Sequence, residues 1–212
     1  MADQAKGLEA FIDIIETIAD NKYVLGDHLV EIGVSGPTLE ATLSAIAMAQ
    51  GELGHARLLY NWAFDLRGIG KTEITNQTGK AFPSVVQVTD WIEMIGALYA
   101  VNAGTDLVLR AMLEAGHHDV VNRIQKLLKE QKEHILYSRG WVGLLLHDEG
   151  AVPRKMREAL DRAVPEVRAW LQKLEQNADL VSGGYIPEQA GFAARFDEIV
   201  DRETRRVVEN AG

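Results

Sequence analysis

The pattern that most constrains this chain is a set of four long amphipathic stretches joined by a short turn, a long connection and a second short turn. In the first, over roughly 4–33, Leu8, Phe11, Ile15, Ile18, Leu25, Leu29 and Ile32 recur at helical spacing and make one apolar stripe. Gly33-Val34-Ser35-Gly36-Pro37 forms a turn, and Thr38 is placed to cap a second stretch over 38–66. A third spans 89–116, opened by Thr89 or Asp90 and closed by Gly116. The fourth covers 118–147 and stops near Gly150 and Pro153. Residues 153–212 read as two or three shorter helices, broken at Pro165 and around Ser182-Gly183-Gly184. Signals for β-strand are weak; Ser84–Val88 is the one short β-branched run.

Short turns force antiparallel hairpins, whereas the 67–88 connection lets the second and third stretches run parallel. Two hairpins joined by one long crossover is the ferritin-like form of the four-helix bundle. The expected fold is therefore all-α. A ferritin-like four-helix bundle occupies 1–150, and a C-terminal helical extension over 151–212 packs on the bundle or on a partner. Within the crossover, Gly68-Ile69-Gly70-Lys71-Thr72 resembles the end of a phosphate-binding loop. Asp65 stands where that motif needs its first glycine, and no strand precedes it, so a flexible connection is expected.

Composition removes several functions. Cysteine is absent, which excludes disulfides, iron–sulfur clusters, thiolate zinc sites and cysteine nucleophiles. Lys plus Arg number 22 against 31 Asp plus Glu, a net charge of −9, which argues against a nucleic-acid or anionic-membrane partner. Acidic residues punctuate positions 1–22, unlike a secretory leader. No apolar run approaches the ~18–20 residues of a membrane span. These features predict a cytoplasmic protein.

The inward rows carry the chemistry. In the second stretch the row is Ala41, Ala45, Met48, Glu52, His55, Leu59, Trp62, with Gln50 and Arg57 on the opposite face. Glu-x-x-His turned inward is the pair that di-iron carboxylate bundles place on two of their helices. The fourth stretch offers Ile124, Leu127, Gln131, His134, Ser138 and Trp141, so His134 is in register but Gln131 replaces the carboxylate. Asn102 interrupts the row of the third stretch, and Lys22 that of the first. Glu16 and Asp20 sit off the first stripe, and Glu130 and Glu133 fall on a charged, outward or subunit-facing row with Arg123 and Lys126. The interior set is thus Lys22, Glu52, His55, Asn102, Gln131 and His134. It has the shape of a di-iron site with three of its four carboxylates missing, and a hard metal pair needs anionic oxygens. An ammonium at Lys22 can instead pair with Glu52, unless it extends to the surface and leaves Glu52 to His55 and water.

Several segments carry a family resemblance: Asp20-Asn21-Lys22-Tyr23-Val24-Leu25-Gly26, Gly36-Pro37-Thr38-Leu39-Glu40, the run Ala47 to Tyr60, and Lys129 to His134 continuing through Ser138-Arg139-Gly140-Trp141. Over about 10–148 the chain resembles the phenylacetyl-CoA epoxidase family, bacterial multicomponent monooxygenases with ferritin-like subunits. The resemblance implies one of two kinds of subunit, a catalytic di-iron one or a related scaffold with a degenerate metal site. Glu52, His55 and His134 fit a metal site; Lys22, Asn102 and Gln131 depart from it, and the chain looks closer to the scaffold. The resemblance then implies a non-catalytic subunit without a cofactor, packed against a homologous ferritin-like catalytic subunit that handles an acyl-CoA substrate. Two rivals stand beside it. One is an iron-dependent oxygenase using Glu52, His55 and His134, completed by Glu16, Asp20 or Glu130; the other is a stand-alone helical homodimer.

Overall fold

The structure is a computed structural model that describes residues 2–209 other than 71, 72 and 75, with side chains over 4–204 of these. Among the described residues there are eight α-helices and no strand. They are α1 (Ala2–Glu31), α2 (Leu39–Arg67), α3 (Pro83–Val86), α4 (Trp91–Ala115), α5 (His118–Leu146), α6 (Val152–Glu175), α7 (Ala178–Ser182) and α8 (Phe192–Glu209). The fold is all-α and ferritin-like, with α1/α2 and α4/α5 as its hairpins.

Local chemistry sets the helix ends. Thr38 Oγ1 accepts from Ala41 N at 3.1 Å and starts α2. The Asp90 carboxylate accepts from Glu93 N at 2.9 Å, while Glu93 reaches back to Thr89 N at 2.9 Å, so both flank the start of α4 with side-chain acceptors. The ends of α2 and α4 are Gly68 at φ 68° and Gly116 at φ 73°, a left-handed conformation that glycine adopts without a Cβ clash. Gly68 belongs to the segment read for phosphate-loop character; Lys71 and Thr72 of that motif lie outside the described residues.

The crossover is tied down by polar groups of α1 and α6. Asp20, fully buried, accepts from Thr78 N and Oγ1 at 2.9 Å each and from Lys80 N at 2.6 Å, as well as from the Tyr60 hydroxyl. Asn21 Oδ1 accepts from Phe82 N, and Glu166 Oε2 accepts from both Ser84 N and Ser84 Oγ. The described part of this connection is therefore clamped, and the short β-branched run becomes the helical turn α3, with Pro83 in its first turn.

Pro165 does not break the chain: α6 runs through it. An interior proline costs about 3 kcal/mol. Leu160, Val167 and Leu171 on the same helix are buried, each worth ~1.5–3 kcal/mol, and their sum exceeds that cost. The predicted break around Ser182-Gly183-Gly184 does occur, ending α7.

Helix α4 is the most buried element. By length and composition it could cross a membrane, contrary to the expectation that no stretch approaches such a span, but most of its apolar surface lies inside the bundle. Helix α6 packs on it closely: a Cβ at Gly104 would lie 2.5 Å from Val167 Cγ1, and one at Gly96 2.9 Å from Ala159 Cβ. We expect Gly104→Ala to destabilise the fold by ~1–3 kcal/mol, read as a lower urea midpoint at unchanged slope. The apolar core continues from Phe11 in α1 to Phe192 and Phe196 in α8.

Candidate functional site

Residues three apart on a helix share a face, so Glu52 and His55 of α2 project together, as do Gln131 and His134 of α5. Lys22 of α1 and Asn102 of α4 complete a ring, and none of the six is more than 3% exposed. Lys22 Nζ donates to Glu52 Oε2 at 2.8 Å and to Asn102 Oδ1 at 2.9 Å. Glu52 Oε1 accepts from Asn102 Nδ2 at 2.8 Å and from His134 Nδ1 at 2.6 Å. Gln131 Nε2 donates to Asn102 Oδ1 at 2.7 Å and to the Asn102 carbonyl at 3.2 Å. Lys22 thus turns inward, and does not extend to the surface. Gly51 makes room for this ring, because a Cβ there would lie 2.6 Å from His134 Nε2.

The network orders the charges. Burial alone would push the Glu52 carboxyl up, but the Lys22 ammonium and the His134 imidazole more than offset it and hold Glu52 well below the usual carboxylate range. Glu52 is ionised, and both of its oxygens are engaged. His55 stacks on His134 with ring centroids 4.7 Å apart. Burial, then the neighbouring Lys22 ammonium and His134 ring, pushes His55 down to about 4, so it is neutral near pH 7. Its Nε2 donates to Glu130 Oε2 at 2.9 Å, while its Nδ1 is shielded with no hydrogen-bond acceptor or donor beside it among the described residues.

That shift has a consequence for stability. A histidine whose folded value lies below its ordinary 6.5 resists protonation only while folded, so stability is complete above pH 6.5 and is lost as pH falls towards 4. The groups facing it are Lys22 from α1, Glu52 from α2, and Glu130 and His134 from α5. We expect acid unfolding to carry a step on the order of 3 kcal/mol across that window, and His55→Gln to flatten it, measured by urea titration at several pH values.

Of the remaining carboxylates, Glu130 is nearest the centre. Its side chain is 49% exposed yet crosses the seam between α2 and α5 to His55, a reach that its outward place on the helical wheel does not reveal. Glu16 pairs with Arg67 and Lys80, and Asp20 clamps the crossover; neither joins the ring. Glu133, Asp27 and Glu31 are exposed. Chemically, the ring has a paired ammonium and carboxylate at its middle, while Gln131 Oε1, like His55 Nδ1, is buried without a hydrogen-bond partner among the described residues.

Two long helical hairpins, one crossover and an inward Glu-x-x-His on α2 define a ferritin-like helical protein. A profile described as phenylacetic acid catabolic protein matches residues 2–211, and the chain belongs to that family. The match extends beyond the 10–148 span of the sequence resemblance and includes α6–α8, whose apolar residues share the bundle's core. The chain is also similar to a subunit of the 1,2-phenylacetyl-CoA epoxidase of Escherichia coli (strain K12), 24% identical over 151 residues, or 68% of this chain and 61% of that relative. It therefore aligns with about three-fifths of the relative's length.

Proposed function

We propose that this chain is a non-catalytic structural subunit of a phenylacetyl-CoA epoxidase-like multicomponent monooxygenase, supporting a homologous ferritin-like catalytic subunit in aromatic acyl-CoA catabolism. One observation carries the reading: the Lys22 ammonium sits between the four long helices, 2.8 Å from Glu52 Oε2. A pair of irons needs several anionic oxygens. Here the ring supplies one carboxylate, already saturated by Lys22, Asn102 and His134, and a metal pair would add positive charge beside a fixed cation. The donor set does not fit a di-iron centre. On this reading Glu52, His55 and His134 are remnants of a degenerate site, and Lys22, Asn102 and Gln131 stand at former ligand positions.

A subunit role also has a surface to act through. Leu39, Leu43 and Ile46 are exposed at steps of four and three along α2, and Leu136 and Leu144 are exposed on α5. The name of the Escherichia coli relative, that of an epoxidase subunit, supports the same assignment.

The experiment is metal analysis of the purified chain, alone and co-expressed with a ferritin-like paralogue from the same genome. The expected result is co-purification, with iron following the paralogue and far less than one iron in the chain alone. Near-stoichiometric iron in the isolated chain, lost in a folded Glu52→Gln variant, would establish the iron-dependent oxygenase instead. A stable homodimer that ignores the paralogue would establish the stand-alone reading. If positions 22 and 131 descend from ligands, Lys22→Glu combined with Gln131→Glu gains measurable iron affinity; no gain removes that ancestry.

A further inference from the structure

A second cluster lies where α5 begins, away from the central ring. His117, His118 and Asp119 each offer one ligand atom, and these atoms lie within 4.8 Å of one another. His118 Nε2 and Asp119 Oδ1 are already 2.9 Å apart. Two imidazoles and one carboxylate at such separations are a donor set for a borderline divalent transition ion.

Helix formation does not account for the first histidine. His117 is the N-cap of α5, a position that Ser, Thr, Asp and Asn favour because their side chains accept from first-turn amides, yet His117 makes no capping bond. Its ring is held instead against Tyr185, with centroids 4.8 Å apart and planes 18° from parallel. His117 Nδ1 is shielded from water, so Nε2 is the nitrogen it can present to an ion. The other two ligands are free to come to it, because their side chains are 86% and 68% exposed. Bonds of about 2.0 Å at tetrahedral angles put neighbouring ligand atoms ~3.3 Å apart, within reach of a rotation of either exposed side chain. His117 and Asp119 also border an open hollow of about 500 Å³, which gives water access to the position a protein ligand does not fill. A chain of net charge −9 draws cations to its surface.

We propose that His117, His118 and Asp119 form a surface site for one transition-metal dication of the Zn²⁺, Cu²⁺ and Ni²⁺ class, with water completing the coordination. Imidazole nitrogen selects these ions over Mg²⁺, which prefers all-oxygen shells. The three ligands are consecutive, so the ion ties no separate helices together; the fold contributes the fixed ring of His117 and the start of α5. The site shares no residue with the ring at the bundle centre and does not depend on the function proposed there. A metal held at the centre would follow Glu52, whereas one held here follows His118, so the two readings fail separately.

The test is calorimetric titration of the full chain, first freed of metal with a chelator, using ZnCl₂ and, separately, MgCl₂. Zn²⁺ is expected to saturate one site with Kd tighter than about 100 μM, and Mg²⁺ to bind at least about tenfold more weakly. His118→Ala and Asp119→Asn, both changes at exposed side chains, each weaken Zn²⁺ at least about threefold. His147→Ala, at an exposed histidine elsewhere, leaves the affinity unchanged. Zn²⁺ binding weaker than about 100 μM, Mg²⁺ within about tenfold of it, a smaller shift in either ligand variant, or an affinity that follows His147 would overturn the proposal.

Discussion

Glu52→Ala is expected to destabilise the folded chain by about 3–5 kcal/mol, because it leaves the Lys22 ammonium buried without its counter-charge. The same change removes the acceptor of Asn102 Nδ2 and His134 Nδ1, two donors buried at the bundle centre. Pairing Glu52→Gln with Lys22→Met should recover most of the loss, since a buried ion pair is often replaceable by neutral groups of similar volume. The two singles and the double form a cycle with a coupling energy of about 2 kcal/mol or more, read from urea midpoints at constant slope. If Glu52→Ala costs less than ~1 kcal/mol, the pair does not balance the centre and water reaches it.

Asp20→Ala is the second large effect, about 3 kcal/mol or more, and it acts at a different place. A carboxylate with four donors and no exposure makes charge-assisted bonds that each contribute ~1.5–3 kcal/mol and do not sum simply. Its loss frees Thr78 and Lys80, so the crossover opens before the bundle does. Hydrogen exchange separates the two: the amides of Thr78 and Lys80 lose protection while those in the middle of α4 keep theirs. Protection unchanged at both amides would show that something other than Asp20 holds the connection. Asp20→Asn is also expected to destabilise, since an amide presents a donor group where two backbone or hydroxyl donors need an acceptor.

These two sites differ in how far they are legible in the sequence. The long helices are legible because their apolar periodicity is strict and their ends carry Thr38, Asp90, Gly68 and Gly116. The same periodicity places Lys22, Glu52, His55, Asn102, Gln131 and His134 on inward rows, and the structure brings all six together. Periodicity says nothing of contacts made by a loop or by a long side chain leaning across a seam. Asp20 therefore reads as a stray carboxylate, although three of its four donors come from positions 78 and 80. Glu130 reads as outward, although its flexible side chain carries it to His55. Pro165 reads as a stop because its cost is local, whereas the burial that outweighs it comes from packing on α4. The stacking of Tyr185 on Phe11 is invisible for the same reason, since the two become neighbours only once the chain has folded.

The lysine in the bundle's middle has one more implication. On the structural role proposed above, a positive charge carried on a covalent tether cannot be chelated, exchanged or mis-loaded, and the chain is expected to reach its native shape whatever the iron supply. Protein made in iron-starved cells is then expected to melt at the same temperature as protein made in iron-replete ones.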